Sequence, residues 1–471
     1  MQETTPLEPS GAQMRAMADA ATNFLVAFVD RLPEAPASDD AGVSALTERL
    51  RVGAPEDGRP FEELLGVFAD GTAKGHNTAG PGWLAYVPGG GLFSAAIADF
   101  LACGVNRFVG VWEPAPVLAQ IEATAVRWLC DLFGYPDGSR GVLTSGGSIS
   151  HFSAIVTARH ALLGDDYGKG IAYVTDQTHS AALKAAVLAG FPRDHVRLVP
   201  TTPSLEMDPQ LLNEAIQRDR AAGLQPFYVV ASAGTTNTGA VDPLDDIASV
   251  TTENGLWLHI DGAYGGFFQL TERGKRLFSG IDRADSITLD PHKSMFLPYG
   301  TGALLVRDGR RLREAHEIHA ESYLQDLAAE DEIPNFADYS PELTRDFRGL
   351  RVWLPIQLHG LGAFRAALDE KLDLACHLHE SLQSVWGLEL PVTPRLSTVV
   401  FRATPSVDEA DEKTREILRR INATRRVFLS STNLDDRFTI RVCIVSHRTH
   451  RDRVDELIDI VTDVAAEVLH A

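Results

Sequence analysis

Between residues 91 and 310 the chain alternates helical stretches with short apolar, β-branched runs, and few folds accept that pattern. The runs are GVL (141–143), IAYVT (171–175), VRLVP (196–200), PFYVVASA (226–233), GLWLHID (255–261), SITL (286–289) and GALLVR (302–307). Helices are predicted at 93–103, 115–133, 148–163, 179–190, 208–222 and 243–253. Alternation of this kind predicts an α/β domain built on a mainly parallel, seven-stranded sheet.

The flanks read differently. Residues 11–31 form an amphipathic pattern that Pro33 closes, and 32–58 are rich in Pro, Ala, Gly and acids, as in a connecting arm. A second short helix is predicted in RPFEELLGVFADGTAKG. HNTAGPGWLAYVPGGG is a turn system, dense in Gly and Pro. Beyond 310, long helical stretches (349–386) precede strands at 397–403 and 438–445 and helices at 407–424 and 450–469. The expected division is an N-terminal helical segment and arm (1–90), a large domain (91–310), a connecting loop (311–348) and a smaller α/β C-terminal domain (349–471).

Bulk properties narrow the function. A formal net charge of −21 argues against nucleic acid or an anionic membrane as partner, because both need clustered positive charge. No stretch approaches the roughly 20 apolar residues that span a bilayer. The first residues, MQETTPLEPSGAQ, show neither the basic nor the apolar region of a secretory signal. Cys103, Cys130, Cys376 and Cys443 are widely spaced in apolar contexts, so buried, reduced thiols and a cytoplasmic location are expected. No metal-ligand spacing appears.

Four constellations carry chemistry. In TSGGSISHFS a Gly146-Gly147 turn opens a helix with Ser148 and Ser150 at its start; helix N-termini bind phosphate, although serine is also a common N-cap. In DQTHSA, His179 stands at a strand-to-helix junction, as a cap or as a functional group. In HIDGAYGG, Asp261 ends an apolar strand and needs a partner or a metal, and the small residues after it let something flat lie close. Lys293, in DPHKS, follows 32 residues later. A lysine amine attacks carbonyls when desolvation or nearby cations disfavour its charge. An aspartate together with such a lysine is the pair that serves pyridoxal phosphate.

These motifs, with SAGTTNTGAVDPL, occur in an order that closely resembles the pyridoxal-phosphate-dependent group II amino acid decarboxylases, of the aromatic-L-amino-acid, glutamate and tyrosine decarboxylase type. The resemblance runs from about residue 75 to the C-terminus. It implies fold type I, pyridoxal 5'-phosphate as cofactor, an amino acid substrate, and a homodimer with active sites at its interface. It implies that Lys293 forms the internal aldimine, that Asp261 pairs with the ring nitrogen, and that His179 and Ala263 cover the two ring faces. Ser148, the Ile149 backbone and Ser150 would hold the phosphate. Thr236, rather than Thr235, would join the cofactor site, and His292 would lie beside the phosphate and the partner's loop.

The implied reaction is decarboxylation to the amine and carbon dioxide, through the Lys293 aldimine and a quinonoid. Tyr323, in SYLQD, falls where decarboxylases of this type keep a loop tyrosine, and relatives with phenylalanine there form aldehydes. Arg345 and Arg348 lie near the arginines that close over the cofactor. Three positions depart from the pattern. Asp290 stands where animal aromatic decarboxylases carry asparagine, and Ser294 where tryptophan is common. Val87 replaces a pocket phenylalanine, leaving Tyr86 and Trp112 as the other pocket walls. The competing readings are an oxidative, aldehyde-forming decarboxylase, a carbon–carbon lyase, and a non-catalytic regulatory homologue; intact Lys293, Asp261 and His179 argue against the last.

Overall fold

The computed structural model describes residues 7–317, 335–406 and 408–470. Its central feature is a seven-stranded sheet. The strands are β1 (Arg140–Thr144), β2 (Gly170–Val174), β3 (Val196–Leu198), β4 (Gln225–Ser232), β5 (Trp257–Gly262), β6 (Ser286–Leu289) and β7 (Gly302–Val306). Their order is β1-β7-β6-β5-β4-β2-β3. Neighbours from β6 to β3 are parallel, whereas β7 runs antiparallel to both β6 and β1.

Chain direction along this sheet decides where a site can form. Helices such as Leu244–Asn254, between β4 and β5, return the chain to start each parallel strand. Between β6 and β7 there is only a short connection holding the helix Pro291–Ser294, so β7 reverses. A second reversal then points β1 the same way as β6. The C-terminal ends of β1, β4, β5 and β6 therefore share one edge, where ligands of open α/β sheets bind.

Both faces are covered, as a parallel sheet requires. Val229, Ala231, Leu258, Ile260, Ile287 and Leu289 enter one core, while their neighbours Tyr228, Val230 and Trp257 enter the other. The period of two along each strand sorts them.

The C-terminal part carries a four-stranded antiparallel sheet: β8 (Leu388–Glu389), β9 (Thr398–Ala403), β10 (Ser430–Leu434) and β11 (Arg437–Cys443), in the order β8-β9-β11-β10. β8 and β10 were absent from the sequence expectation. β10 reads SSTNL, too polar to register as a strand, yet Asp435 and Asp436 both adopt positive φ (52° and 59°) between β10 and β11. That is the turn geometry whose twist suits a tight hairpin, and Asp tolerates it. The long helix Arg348–Leu382 is broken at Gly360 (φ 73°, ψ 152°).

The N-terminal helix Gly11–Arg31 begins with a capping box between Ser10 and Gln13, and none of its residues is buried. Two of the four cysteines correct the expectation of burial: Cys103 and Cys376 are exposed, on outward faces of their helices, whereas Cys130 and Cys443 are buried. All four are free thiols. No helix of the described residues is long and apolar enough to cross a membrane.

Candidate active site

The shared edge of the sheet holds a cavity of about 360 Å³. Its walls come from the turn after β1 (Ser145, Gly146, Gly147, Ser148), from His151 one turn further, and from His179 and Ala181. Thr236 follows β4, Asp261 and Ala263 end β5, and Asp290, His292 and Lys293 follow β6. Four motifs far apart in sequence thus meet at one place.

Local chemistry explains each position. Gly146 sits at φ 154°, turning the chain into the helix Gly147–Leu162. A Cβ on Gly147 would come 3.2 Å from Asp290 Oδ2 and press on that carboxylate, so the small residue eases the close approach of the β6 loop. In the turn after β5, a side chain on Gly265 would collide with the Ala233 carbonyl. His179 caps the helix Ser180–Leu188: its Nδ1 accepts the Ala181 N–H at 3.2 Å. The neutral ring therefore carries its proton on Nε2, and the residue lines the cavity. Both readings of His179, cap and cavity group, apply together. Burial pushes its ring below the ordinary histidine value, and the Asp261 charge opposes this without reversing it.

Asp261 is almost fully buried. Its Oδ1 accepts the Ala263 N–H at 3.0 Å, and its Oδ2 lies 3.3 Å from His151 Nε2. Burial alone would raise its carboxyl. The charge and hydrogen bond of His151, then the Lys293 charge and the Ala263 N–H, reverse that and hold it well below the usual carboxylate range. The partner that Asp261 required is thus a histidine, among described residues that contain no cluster of three or more metal-ligating side chains.

Lys293 Nζ lies 2.9 Å from Asp290 Oδ2. Here the expectation of a lysine with disfavoured charge needs correction. Burial does disfavour the ammonium, but the charge and hydrogen bond of Asp290, then the Asp261 charge, outweigh it and raise Lys293 above its ordinary value. Asp290, which the sequence left without a role, is buried, and its second oxygen, Oδ1, has no hydrogen-bond partner among the described residues. His292 is anchored by Nδ1 to the Thr301 carbonyl at 2.6 Å, and burial lowers its ring.

Other expected residues fall elsewhere. Ser150 is fully buried and shares a 2.8 Å hydrogen bond with Thr144, and the Ile149 N–H is bonded to the Gly146 carbonyl. Neither lines the cavity; Ser145, Gly146 and Gly147 stand there with Ser148. Thr236 does line it, its carbonyl held by Arg441 Nε of β11 at 2.7 Å, while Thr235 turns inward to Thr238. Tyr86 is exposed, Val87 packs on the core, and Trp112 hydrogen-bonds Asn335 through its backbone; none of the three lines the cavity of the single chain. Tyr323 lies outside the described residues. Arg345 and Arg348 make structural contacts. Arg345 forms a fully buried pair with Glu122 at 2.6 Å, and Arg348 pairs with Glu342 at 3.0 Å. Sequence reasoning missed His151. The signal available was its spacing of three from Ser148, which puts both on one face of the helix.

A buried ionised carboxylate, a lysine amine and a glycine turn at a helix N-terminus, all facing one cavity, fit pyridoxal phosphate: an aldehyde, a basic ring nitrogen and an anionic phosphate each find a partner. The fold and site thus define a pyridoxal-phosphate enzyme of fold type I. Residues 44–404 match the family described as the pyridoxal-dependent decarboxylase conserved domain. The chain belongs to that family and is a pyridoxal-phosphate-dependent carboxy-lyase. It is 34% identical to an aromatic-L-amino-acid decarboxylase of Bacillus atrophaeus, over 98% of this chain and 97% of the relative. It is 26% identical to a phenylacetaldehyde synthase of Arabidopsis thaliana, over 97% of each. The Oryza sativa TDC structure with PLP and tryptamine superposes with a TM-score of 0.93 at 26% identity, covering 99% of this chain and all of that one.

Proposed function

We propose that the protein decarboxylates an aromatic L-amino acid and releases the amine. One observation carries the reading: Lys293 and Asp261 face one cavity, in a chain similar to an aromatic decarboxylase along nearly its whole length. Pyridoxal phosphate supplies an aldehyde that captures amines and a ring that accepts the electron pair left by departing carbon dioxide.

The chain's own residues do the rest. Lys293 would hold the aldehyde through its amine. Asp261, kept ionised, would hold a proton on the ring nitrogen. His179 and Ala263 would flank the ring. Ser148 and the bare Gly146-Gly147 turn would receive the phosphate at a helix N-terminus. Thr236 and His292 close the remaining walls. Tyr323 returns a proton to the substrate Cα. The pocket for the side chain is completed by Tyr86, Val87 and Trp112 only when a second copy of the chain closes the site.

The working unit is a homodimer in the cytoplasm. No residue of the helix Gly11–Arg31 is fully buried within its own chain, and Phe93, Phe100 and Leu101 of the helix Phe93–Val105 are exposed, which suits a shared interface. Four free thiols suit a reducing compartment.

The test is incubation of the loaded enzyme with aromatic, acidic, basic and branched L-amino acids, with products read by mass spectrometry. Equal amounts of amine and carbon dioxide from an aromatic substrate are expected. An aldehyde with ammonia and peroxide would instead establish oxidative decarboxylation. That second reading is favoured by the likeness to a phenylacetaldehyde synthase, and it would remove the role given to Tyr323.

A further inference from the structure

We propose that His151 is a positioning residue for the reaction: its ring grips the Asp261 carboxylate from behind and fixes how that carboxylate meets the ring nitrogen of the cofactor. The inference rests on the pyridoxal-phosphate reading of the cavity.

Geometry assigns the task. Asp261 has two oxygens and two fixed donors, the Ala263 N–H on Oδ1 and His151 Nε2 on Oδ2. His151 is 2% exposed and sits in the first turns of a helix, so it cannot swing away. Its ring stands edge-on to His259, centroids 4.9 Å apart and planes at 68°. His259 is itself immobilised: Nδ1 bonds Ser286 Oγ at 2.8 Å, Nε2 bonds Thr288 Oγ1 at 3.1 Å, and Tyr228 stacks on its face.

The bonding state of His151 follows. Its Nδ1 is buried without a hydrogen-bond partner among the described residues. Nε2 is the ring nitrogen that meets Asp261, and because an ionised carboxylate only accepts, the hydrogen bond there runs from Nε2–H to Oδ2. A hydrogen bond to the ionised carboxylate favours that form. Asp261, His259 and His179 are the titratable groups that bear on this ring, and Lys293 bears on Asp261. A filler of the same volume would pack as well as histidine but would donate nothing, and that difference is measurable.

The experiment compares wild-type holoenzyme with His151→Gln, whose amide reaches Asp261, and with His151→Asn and His151→Phe, which cannot donate there. Each is loaded with pyridoxal phosphate. The visible spectrum of the bound cofactor is titrated with pH, and kcat and KM are measured. Expected are a displaced spectral titration and a kcat lowered about 10- to 100-fold in the Phe and Asn variants, as for lost partners of a functional ligand. KM should change little, and the Gln variant should recover both properties in part. The inference is overturned by variants that keep the wild-type spectrum and kcat, or by Gln losing as much kcat as Phe while every spectrum stays wild-type. Should His151→Phe not fold, the Gln and Asn pair makes the same comparison. A wild-type protein that forms no visible imine band with pyridoxal phosphate would remove the underlying reading, and the inference with it; a wild-type band with unaltered variants removes the inference alone.

Discussion

Lys293 Nζ and Asp290 Oδ2 are 2.9 Å apart in the loop after β6, and Asp290 favours the charged form of the amine proposed to capture the cofactor. Asp290 and Asp261 raise the lysine where burial would lower it. Removing Asp290 therefore leaves burial with less opposition, and the neutral amine exists at lower pH. In Asp290→Asn the pH midpoint for capture of added pyridoxal phosphate should move down, read by stopped-flow absorbance on cofactor-free protein. A midpoint that stays or rises would show that Asp290 does not govern the amine.

Lys293 itself has no substitute. Among the described residues it is the one lysine that lines the cavity. Lys293→Ala should lose the imine band and turnover together. Retention of either would overturn the assignment of the amine.

Asp261→Asn keeps the shape of the site and removes its charge. An amide cannot keep the ring nitrogen protonated, so the electron acceptor weakens while the lysine remains free to capture the aldehyde. Cofactor capture should persist, with kcat down on the order of 10²–10³, the usual loss on removing a preorganised electrostatic partner. A kcat within a factor of a few of wild type would contradict the role of the carboxylate.

How far the positions of these residues were legible in sequence varied with the physics behind each. The places of Lys293, Asp261 and His179 at the cavity were legible because each lies where a strand ends or a helix opens, and that junction is visible as a change of period. The parallel part of the sheet was legible for the same reason. The reversal of β7 was not foreseen, because a short connection is a distance constraint and leaves no periodic trace. His151 lay in an apolar helix pattern and looked like any core residue; only the fold brings its Nε2 to Asp261. Ser150 misled because a serine at a helix start can turn outward to an anion or inward to a neighbour, and here Thr144 takes it.

His447 supplies a pH prediction for stability. Burial, reinforced by the Arg448 and Lys371 cations, pushes its ring down to about 3, and its Nδ1 has no hydrogen-bond partner among the described residues. Its folded value is depressed below the unfolded one near 6.5. The unfolded chain then binds the extra proton, so the stability due to this ring is full above about pH 6.5 and falls as pH drops toward 3. The limiting slope is about 1.4 kcal/mol per pH unit. Urea unfolding of His447→Asn and wild type at several pH values should differ by that slope between about pH 6 and 4. Parallel curves would show that the ring is not held neutral.

Glu122 and Arg345 form a pair with no exposed side-chain surface, 2.6 Å apart, and both bind backbone as well: Glu122 accepts the Gly349 N–H and Arg345 donates to the Leu143 carbonyl. The pair ties the helix Pro116–Leu132 to the start of the long helix Arg348–Leu382 and to β1, beside the cavity but not on its wall. Removing one partner leaves a buried charge without its counter-ion, which costs about 3–5 kcal/mol. Arg345→Met and Glu122→Leu should each lower the unfolding midpoint strongly. The double variant should lose much less than the sum, because no orphan charge remains. Whatever fraction of Arg345→Met folds should still capture pyridoxal phosphate. A folded Arg345→Met protein of wild-type stability that no longer binds the cofactor would instead give Arg345 the closing role over the cofactor.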